Sequence, residues 1–370
     1  MIGGFAIAFT IISVLINHII EYYQLTGPDQ GLVISVMSAG NTAAVISTLM
    51  IFRNMKKSTM LAASGILSVA MLTLTGLSQS FVMLLVVSLA LGVSFGWTDA
   101  YANSCIIDVN RKDSAKYQGA LHGWYGVGAV LTPIGIQFLL IRYTWQEIYL
   151  ILTPVVLFTI IVFMVTSRAA EKRIPAPRIA AHEFSRAEVW TFFKNRRNLL
   201  MILAMLAYSL MLLALFSWLV RYMSVQHDAE ALGITGIMVM WISITISRFF
   251  ASRLPIPAMK LYAAGSLIAG AALAVGVFSD NAMIMLVMIG VSGLTSGHCM
   301  PSLINELVTS NEGGSQLPAS MMILMTRISG VTVPLLLGWI SLFSMQASML
   351  VPIVTVIISG LIGYAIIRIK

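Results

Sequence analysis

Charge is what this sequence has least of. Of its 370 residues 58% are hydrophobic and only 10% are Asp, Glu, Lys or Arg, and the mean hydropathy is +0.92. A water-soluble domain carries roughly 25% charged residues, so a solvated globular surface is excluded. Intrinsic disorder needs high charge and low hydrophobicity, and is excluded too. Cysteine is nearly absent. Cys105 and Cys299 lie in separate apolar runs, which rules out a disulfide framework and metal spacing and leaves two buried free thiols. No phosphate-cradling glycine loop, zinc signature or nucleophile elbow occurs. The sequence is therefore not expected to be an enzyme or to need a cofactor or metal. No cleavable signal peptide is expected either, because the first apolar run begins without a basic stretch and a second follows directly.

What the sequence has is long apolar runs. A spanning helix needs about 20 mostly apolar residues, and twelve such runs occur. Six fall roughly at 2–22, 30–52, 59–78, 81–108, 118–141 and 146–167. Six more fall at 199–222, 229–250, 257–278, 281–307, 317–342 and 346–367. They are too long, and too apolar all round, for the strands of a membrane barrel. Prolines 133, 154, 301, 334 and 352 fall inside runs, where neighbouring helices can satisfy the freed backbone. The one long polar stretch, 168–198, separates domains 1–167 and 199–370. Within it Ser185-Arg-Ala-Glu188, preceded by Phe184 and followed by Val189, Trp190, Phe192 and Phe193, reads as a capping box opening a short interfacial helix.

Lys and Arg set the orientation. With the N-terminus inside, 19 of the 22 basic residues fall on the cytoplasmic side, including Arg53, Lys56 and Lys57 and the eight from Arg168 to Arg197. Arg142 and Arg221 fall outside, and Arg327 lies within a span. Both termini are thus expected in the cytoplasm. The net charge of +8 is a topology signal and not a nucleic-acid footprint. The two halves echo each other. Leu91-Gly-Val-Ser94 recurs as Ile289-Gly-Val-Ser292, Arg53 as Arg248, and Pro133 as Pro334, at offsets of 198, 195 and 201 residues. This argues for duplication of a six-helix unit. The glycine pairs Gly92-x3-Gly96 and Gly293-x3-Gly297 predict close helix packing.

Polar residues inside a membrane are costly and face protein or water. Asp99 lies about two-thirds of the way along span 4, with Asn103 one turn on. His122 opens span 5, with Gln118 a turn before it. His298 lies past the middle of span 10, Arg327 near the middle of span 11, and His18 and Glu21 at the outer end of span 1. Asn41 sits mid-span 2 and Asn305 low in span 10. Asp99 reads either as a proton carrier or as the permanent partner of Arg327 or His122. Arg327 reads as a counter-charge for Asp99 or Glu306, or as a binder of an anionic substrate. His298 reads as a hydrogen-bonded core residue, a substrate ligand or a proton relay.

These residues resemble the major facilitator superfamily, and more narrowly its fucose/galactose/glucose:proton symporter branch. The resemblance rests on Asp99-Ala-Tyr-Ala-Asn103, on Leu121-His122 with Gly126-Val-Gly128-Ala129 and Pro133, and on Tyr208, Trp218 and Tyr222. It extends to Trp241-x3-Thr245-x2-Arg248, to Gly293-Leu-x2-Gly297 with Pro301, and to Gly330, Pro334 and Gly338. It implies an all-α membrane protein of twelve transmembrane helices in two pseudo-symmetric six-helix bundles. It also implies a monomer in the plasma (inner) membrane, moving solute by alternating access. By the resemblance Asp99 is the carboxylate tied to sugar and proton, with His122, His18 and Glu21 as further proton-coupling candidates. Tyr208, Trp218 and Trp241 would stack on a sugar ring, with Asn41, Asn103, Gln118 and Asn305 as hydroxyl partners. The chain departs from the branch with His18 and Leu212 where carboxylates are usual, and with His298 and Arg327 unmatched. The alternative is an anionic or zwitterionic metabolite, or a drug, anchored by Arg327 and His298. A membrane sensor or scaffold would bind ligand without flux.

Overall fold

A computed structural model describes residues 1–50, 56–109, 114–171, 186–251, 253–310 and 316–369. Its elements are all helices. The chain divides into two compact units, Met1–Leu25 with Leu32–His182, and Thr26–Gly31 with Glu183–Lys370. The first contains α1 (Ile2–Val14), α2 (Ile16–Tyr22), most of α3 (Asp29–Met50), α4 (Lys57–Gly76), α5 (Phe81–Val109), α6 (Ser114–Leu139) and α7 (Trp145–Glu171). The second contains α8 (Arg186–Lys194), α9 (Arg196–His227), α10 (Glu230–Ala251), α11 (Ala258–Phe278), α12 (Ala282–Ser296), α13 (Cys299–Thr309), α14 (Gln316–Ser341), α15 (Met345–Ser348) and α16 (Leu350–Arg368).

Among the described residues ten helical stretches are long and apolar enough to cross a bilayer, and α1 with α2, bent by 51° at Leu15, makes an eleventh. The fifth apolar run is α6, 26 residues with Pro133 inside. The twelve runs thus all become helices. Helices are the elements a bilayer permits, because each satisfies its backbone groups internally. Large apolar side chains such as Val82, Phe138 and Phe158 face outward, 67–71% exposed, as a lipid-facing surface requires. Next to two of the prolines a threonine turns its hydroxyl onto the preceding turn: Thr132 donates to the Gly128 carbonyl (2.7 Å) and Thr153 to that of Tyr149 (2.8 Å). Such back-bonding accompanies bends. A short helix, α8, forms in the stretch where one is expected, with Trp190 65% exposed and Lys194 over its ring at 5.6 Å. Most of its capping box, like Arg53, lies outside the described residues.

The same pairing scheme recurs inside each unit. In the first, α1 packs on α6 and α7, and α4 on α5 and α7. In the second, α9 packs on α14 and α16, and α11 on α12 and α16. Glycines set the closest approaches, as their spacing predicts. A Cβ added to Gly92 of α5 would lie 1.9 Å from the Met37 carbonyl oxygen of α3, and one at Gly96 2.5 Å from that of Asn41. In the second unit a Cβ at Gly293 would meet Ser243 Cβ at 2.7 Å, and one at Gly297 would meet Ile244 Cα at 2.6 Å. The packing therefore aligns Gly92 with Gly293 and Gly96 with Gly297, an offset of 201 residues. The tetrapeptide match at 198 is one turn out of this register.

Span 10 is not one continuous helix. It breaks between α12 and α13 at Gly297-His298. Methionine is core filler: Met201, Met205, Met211, Met240 and Met285 are fully buried, as a flexible side chain suits irregular gaps. Neither cysteine is in a disulfide; Cys299 is buried and Cys105 half-buried.

Gly92→Val should destabilise the protein by at least ~1–3 kcal/mol, the cost of overpacking. Gly123→Ala, where a Cβ meets nothing within 4 Å, should be neutral or stabilising by up to about 1 kcal/mol from helix propensity. Thermal unfolding of both variants in detergent, followed by circular dichroism, checks the contrast.

Candidate functional site

In the first unit the sequence around Asp99 is pinned from several sides. Trp97 Nε1 donates to Ser47 Oγ of α3 (2.9 Å), and Thr98 Oγ1 to Ser64 Oγ of α4 (2.9 Å). Tyr101 and Ala102 join Met60 and Leu61 in a buried cluster. These contacts occupy the 97–98–101 side of α5. Helical spacing puts Asp99 and Asn103 together on the remaining face. Asn103 Nδ2 donates to Asp99 Oδ1 (3.0 Å) and to its backbone carbonyl (2.8 Å). The half-buried carboxylate is thus held by an amide one turn away, as the i, i+4 spacing predicts. Gln118 and His122 stand on α6, and their side chains lie outside those described. Asn41 is buried in the α3–α5 contact, 4% exposed, and its Oδ1 has no hydrogen-bond partner among the described residues.

His18 and Glu21 line a different cavity, of about 670 Å³, with Tyr22, Gln79, Thr144 and Trp145. It lies at the end of α2, beside the turns that follow α4 and α6. Asp99 lies toward the other end of α5, the end next to the basic connections. The proton-coupling candidates of this unit therefore form two groups at different depths.

In the second unit the polar centre is the break in span 10. Pro301 has no N–H, so the carbonyl four residues earlier, at Gly297, loses its helical donor. Arg248 Nε of α10 donates to that oxygen at 3.1 Å. Ser247 completes the cap, with its Oγ accepting the His298 backbone N–H (3.1 Å) and lying 3.2 Å from His298 Nδ1. His298 is 4% exposed, and the Leu261 backbone carbonyl of α11 is a further acceptor for its ring. A second buried network joins three helices. Tyr262 Oη of α11 meets Ser359 Oγ of α16, which donates to the Ala204 carbonyl of α9 at 2.9 Å.

The aromatic candidates separate. Tyr208 and Trp218 are fully buried, Trp218 in a core cluster with Ala214, Val333 and Leu337. Trp241 is partly exposed and stacks one face on Phe216, 4.7 Å between centroids. Asn305 is exposed on α13. Glu306 beside it carries Arg197, at 2.6 Å. Arg327 is half-buried on α14, next to Thr326, which faces Ser209 of α9 at 3.3 Å. Sequence reading did not assign Arg248 or Ser247 a role. The signal was present in the four-residue spacing from Gly297 to Pro301, which marks an orphaned carbonyl, but it does not say which helix supplies the donor.

The Major Facilitator Superfamily profile matches residues 1–317. The chain belongs to that superfamily, and is a transporter and not an enzyme. Among solved structures it is similar to a bacterial homologue of the human lysosomal transporter Spinster, inward-facing and occupied, at 15% identity with a TM-score of 0.76, covering 100% of this chain and 95% of that one. It is also similar to the nucleoside transporter NupG, at 12% identity with a TM-score of 0.75, covering 100% and 97%. At these identities the likeness establishes the fold. No curated protein shows significant similarity to the chain.

Arg248→Ala strands the Gly297 carbonyl and should cost about 1–3 kcal/mol, read as a lowered melting temperature. Adding Pro301→Ala restores a backbone donor and should recover part of that loss. A double variant no more stable than Arg248→Ala would refute this account of the break.

Proposed function

We propose that this transporter moves a small polar solute, a sugar in the first instance, by proton symport through alternating access. The carrying observation is the Asp99–Asn103 pair. A carboxylate this deep in a membrane span costs at least ~2.5–3.5 kcal/mol, a cost that function accounts for. It is half-buried, and Asn103 holds it at 3.0 Å. Asn103 belongs to this polar face, and Gln118 and His122 of α6 are the further polar residues in our reading. Trp241 is the aromatic platform we favour for a sugar ring, because Tyr208 and Trp218 are enclosed by core. The fold shared with a nucleoside transporter brings nucleosides, which present a sugar ring, into the substrate panel. The basic connections support a plasma-membrane orientation with both termini cytoplasmic.

A second reading, transport of an anionic or zwitterionic solute, is favoured by His298. It is buried at the break in span 10, with Ser247 Oγ 3.2 Å from its Nδ1, and an imidazole can donate to a carboxylate or phosphate oxygen. Arg327 would be the accompanying charge.

Proteoliposomes with an imposed inward proton gradient should accumulate sugar above equilibrium. Asp99→Asn should abolish accumulation while retaining downhill exchange. Undiminished accumulation by that variant removes Asp99 from the coupling role. In the same vesicles, competition by carboxylates and not by neutral sugars selects the second reading, with uptake then lost in Arg327→Gln.

A further inference from the structure

The cavity that His18 and Glu21 line serves no step in the transport reading, and its walls are fixed. Tyr23, the residue that ends α2, donates its hydroxyl to the Ser78 carbonyl in the turn after α4 (3.0 Å). Trp145, 3% exposed, opens α7 and meets Tyr22 edge-on, with 5.6 Å between centroids. The Glu147 carboxylate accepts the backbone N–H and the hydroxyl of Thr144, at 2.8 and 3.0 Å, which holds the turn after α6. Within these walls stand three polar side chains from three elements: Glu21 of α2, Gln79 of the turn after α4 and Gln146 of α7. None of the three has a side-chain hydrogen bond or ion pair among the described residues. The Tyr22 ring beside them is 51% exposed. Packing at a membrane boundary accounts for the rings. It does not account for a carboxylate and two amides left unpaired around one space.

The lining selects by charge. Glu21 is its only carboxylate, and no lysine or arginine lines it. Arg142, two residues before Thr144, is exposed and outside the lining, and no ion pair joins it to Glu21. Glu147 adds a second negative charge at the same turn. An anion placed here would meet a carboxylate with no cation in the wall. A cation gains the Glu21 charge and the exposed ring of Tyr22, since an aromatic face attracts cations. The two amides can each donate and accept, which suits a hydroxyl or amine elsewhere on the same molecule. The volume of about 670 Å³ is that of a small-molecule site.

We propose that this cavity binds a small organic ammonium compound, with the positive nitrogen between the Glu21 carboxylate and the Tyr22 ring and a polar tail at Gln79 and Gln146. Choline is the probe, because 3,3-dimethylbutan-1-ol has its shape without its charge. Radiolabelled choline is dialysed against the full chain in phosphatidylglycerol nanodiscs, at about pH 8 to keep imidazole uncharged. Binding should be saturable. Unlabelled tetramethylammonium should displace the label, and the neutral alcohol and glucose at the same concentration should not. Glu21→Gln should weaken binding at least about fivefold, the factor for one close charge pair in water. Asp280→Asn, which removes an exposed carboxylate of the other unit, should leave it unchanged. Nanodiscs containing phosphatidylcholine separate the two sources of an ammonium group. A lipid headgroup in the cavity would exclude free choline, whereas a site for a soluble compound would bind it as before. No saturable binding, displacement by the neutral alcohol or by glucose, or unchanged affinity in Glu21→Gln overturns the proposal. The displacement measurements use the native chain, so they stand whether or not a variant folds.

Discussion

Hydrocarbon offers no hydrogen bonds, and most of this molecule is arranged around that fact. Every backbone donor and acceptor must find its partner inside the protein, so the chain is a set of long helices. Its serines and threonines fold their hydroxyls back onto carbonyls of their own helices, as Ser94, Thr132 and Thr153 do. Where the rule is broken, the repair is visible. Pro301 removes the donor that Gly297 would have had, and Arg248 and Ser247 reach from α10 to close the gap. A guanidinium that would be costly in lipid thereby satisfies an oxygen that would be costly if left bare. The two costs are removed together, and His298 is fixed at the break.

Close packing meets the second demand. Lipid tails are as apolar as leucine, so helices gain little by hiding apolar surface from them and associate through contact and hydrogen bonding. Glycines at Gly92, Gly96, Gly293 and Gly297 let backbones approach within the reach of a single added carbon. Because these contacts recur in both units with the same helix pairing, each unit reads as one copy of an ancestral bundle. Within the first, Trp97 and Thr98 lock α5 to α3 and α4. That leaves a fixed helix presenting Asp99 and Asn103 on one face, and precise placement of a coupling carboxylate needs such a support.

Much of the architecture was legible in the residues. Run length gave the helices, the placement of lysine and arginine gave an expected orientation, and glycine spacing gave the close contacts. The i, i+4 relation of Asp99 to Asn103 is local, so it could be read directly. What depends on long-range packing could not. Trp218 and Tyr208 look like ring-stacking platforms by type and spacing, but neighbouring helices enclose them completely. Pro301 announces an orphaned carbonyl without naming Arg248, 53 residues away in sequence, as its partner. The duplication was visible, but a four-residue motif can slide by a turn along a helix, and only the packed glycines fix the register. His18 and Glu21 stand beyond the bend at Leu15 and line a cavity at that end of the bundle, as their place at the outer end of span 1 predicts.

The central claim is that the few charges left within the bilayer mark the working part of the protein, with Asp99 moving a proton alongside solute. The most direct measurement needs no imposed gradient. Solute is added to lightly buffered proteoliposomes and the external pH is followed. Proton symport predicts transient alkalinisation of the medium on addition of the transported solute, abolished by Asp99→Asn and by a protonophore. Solute entry with no change in external pH, or the same alkalinisation in Asp99→Asn, would contradict the account.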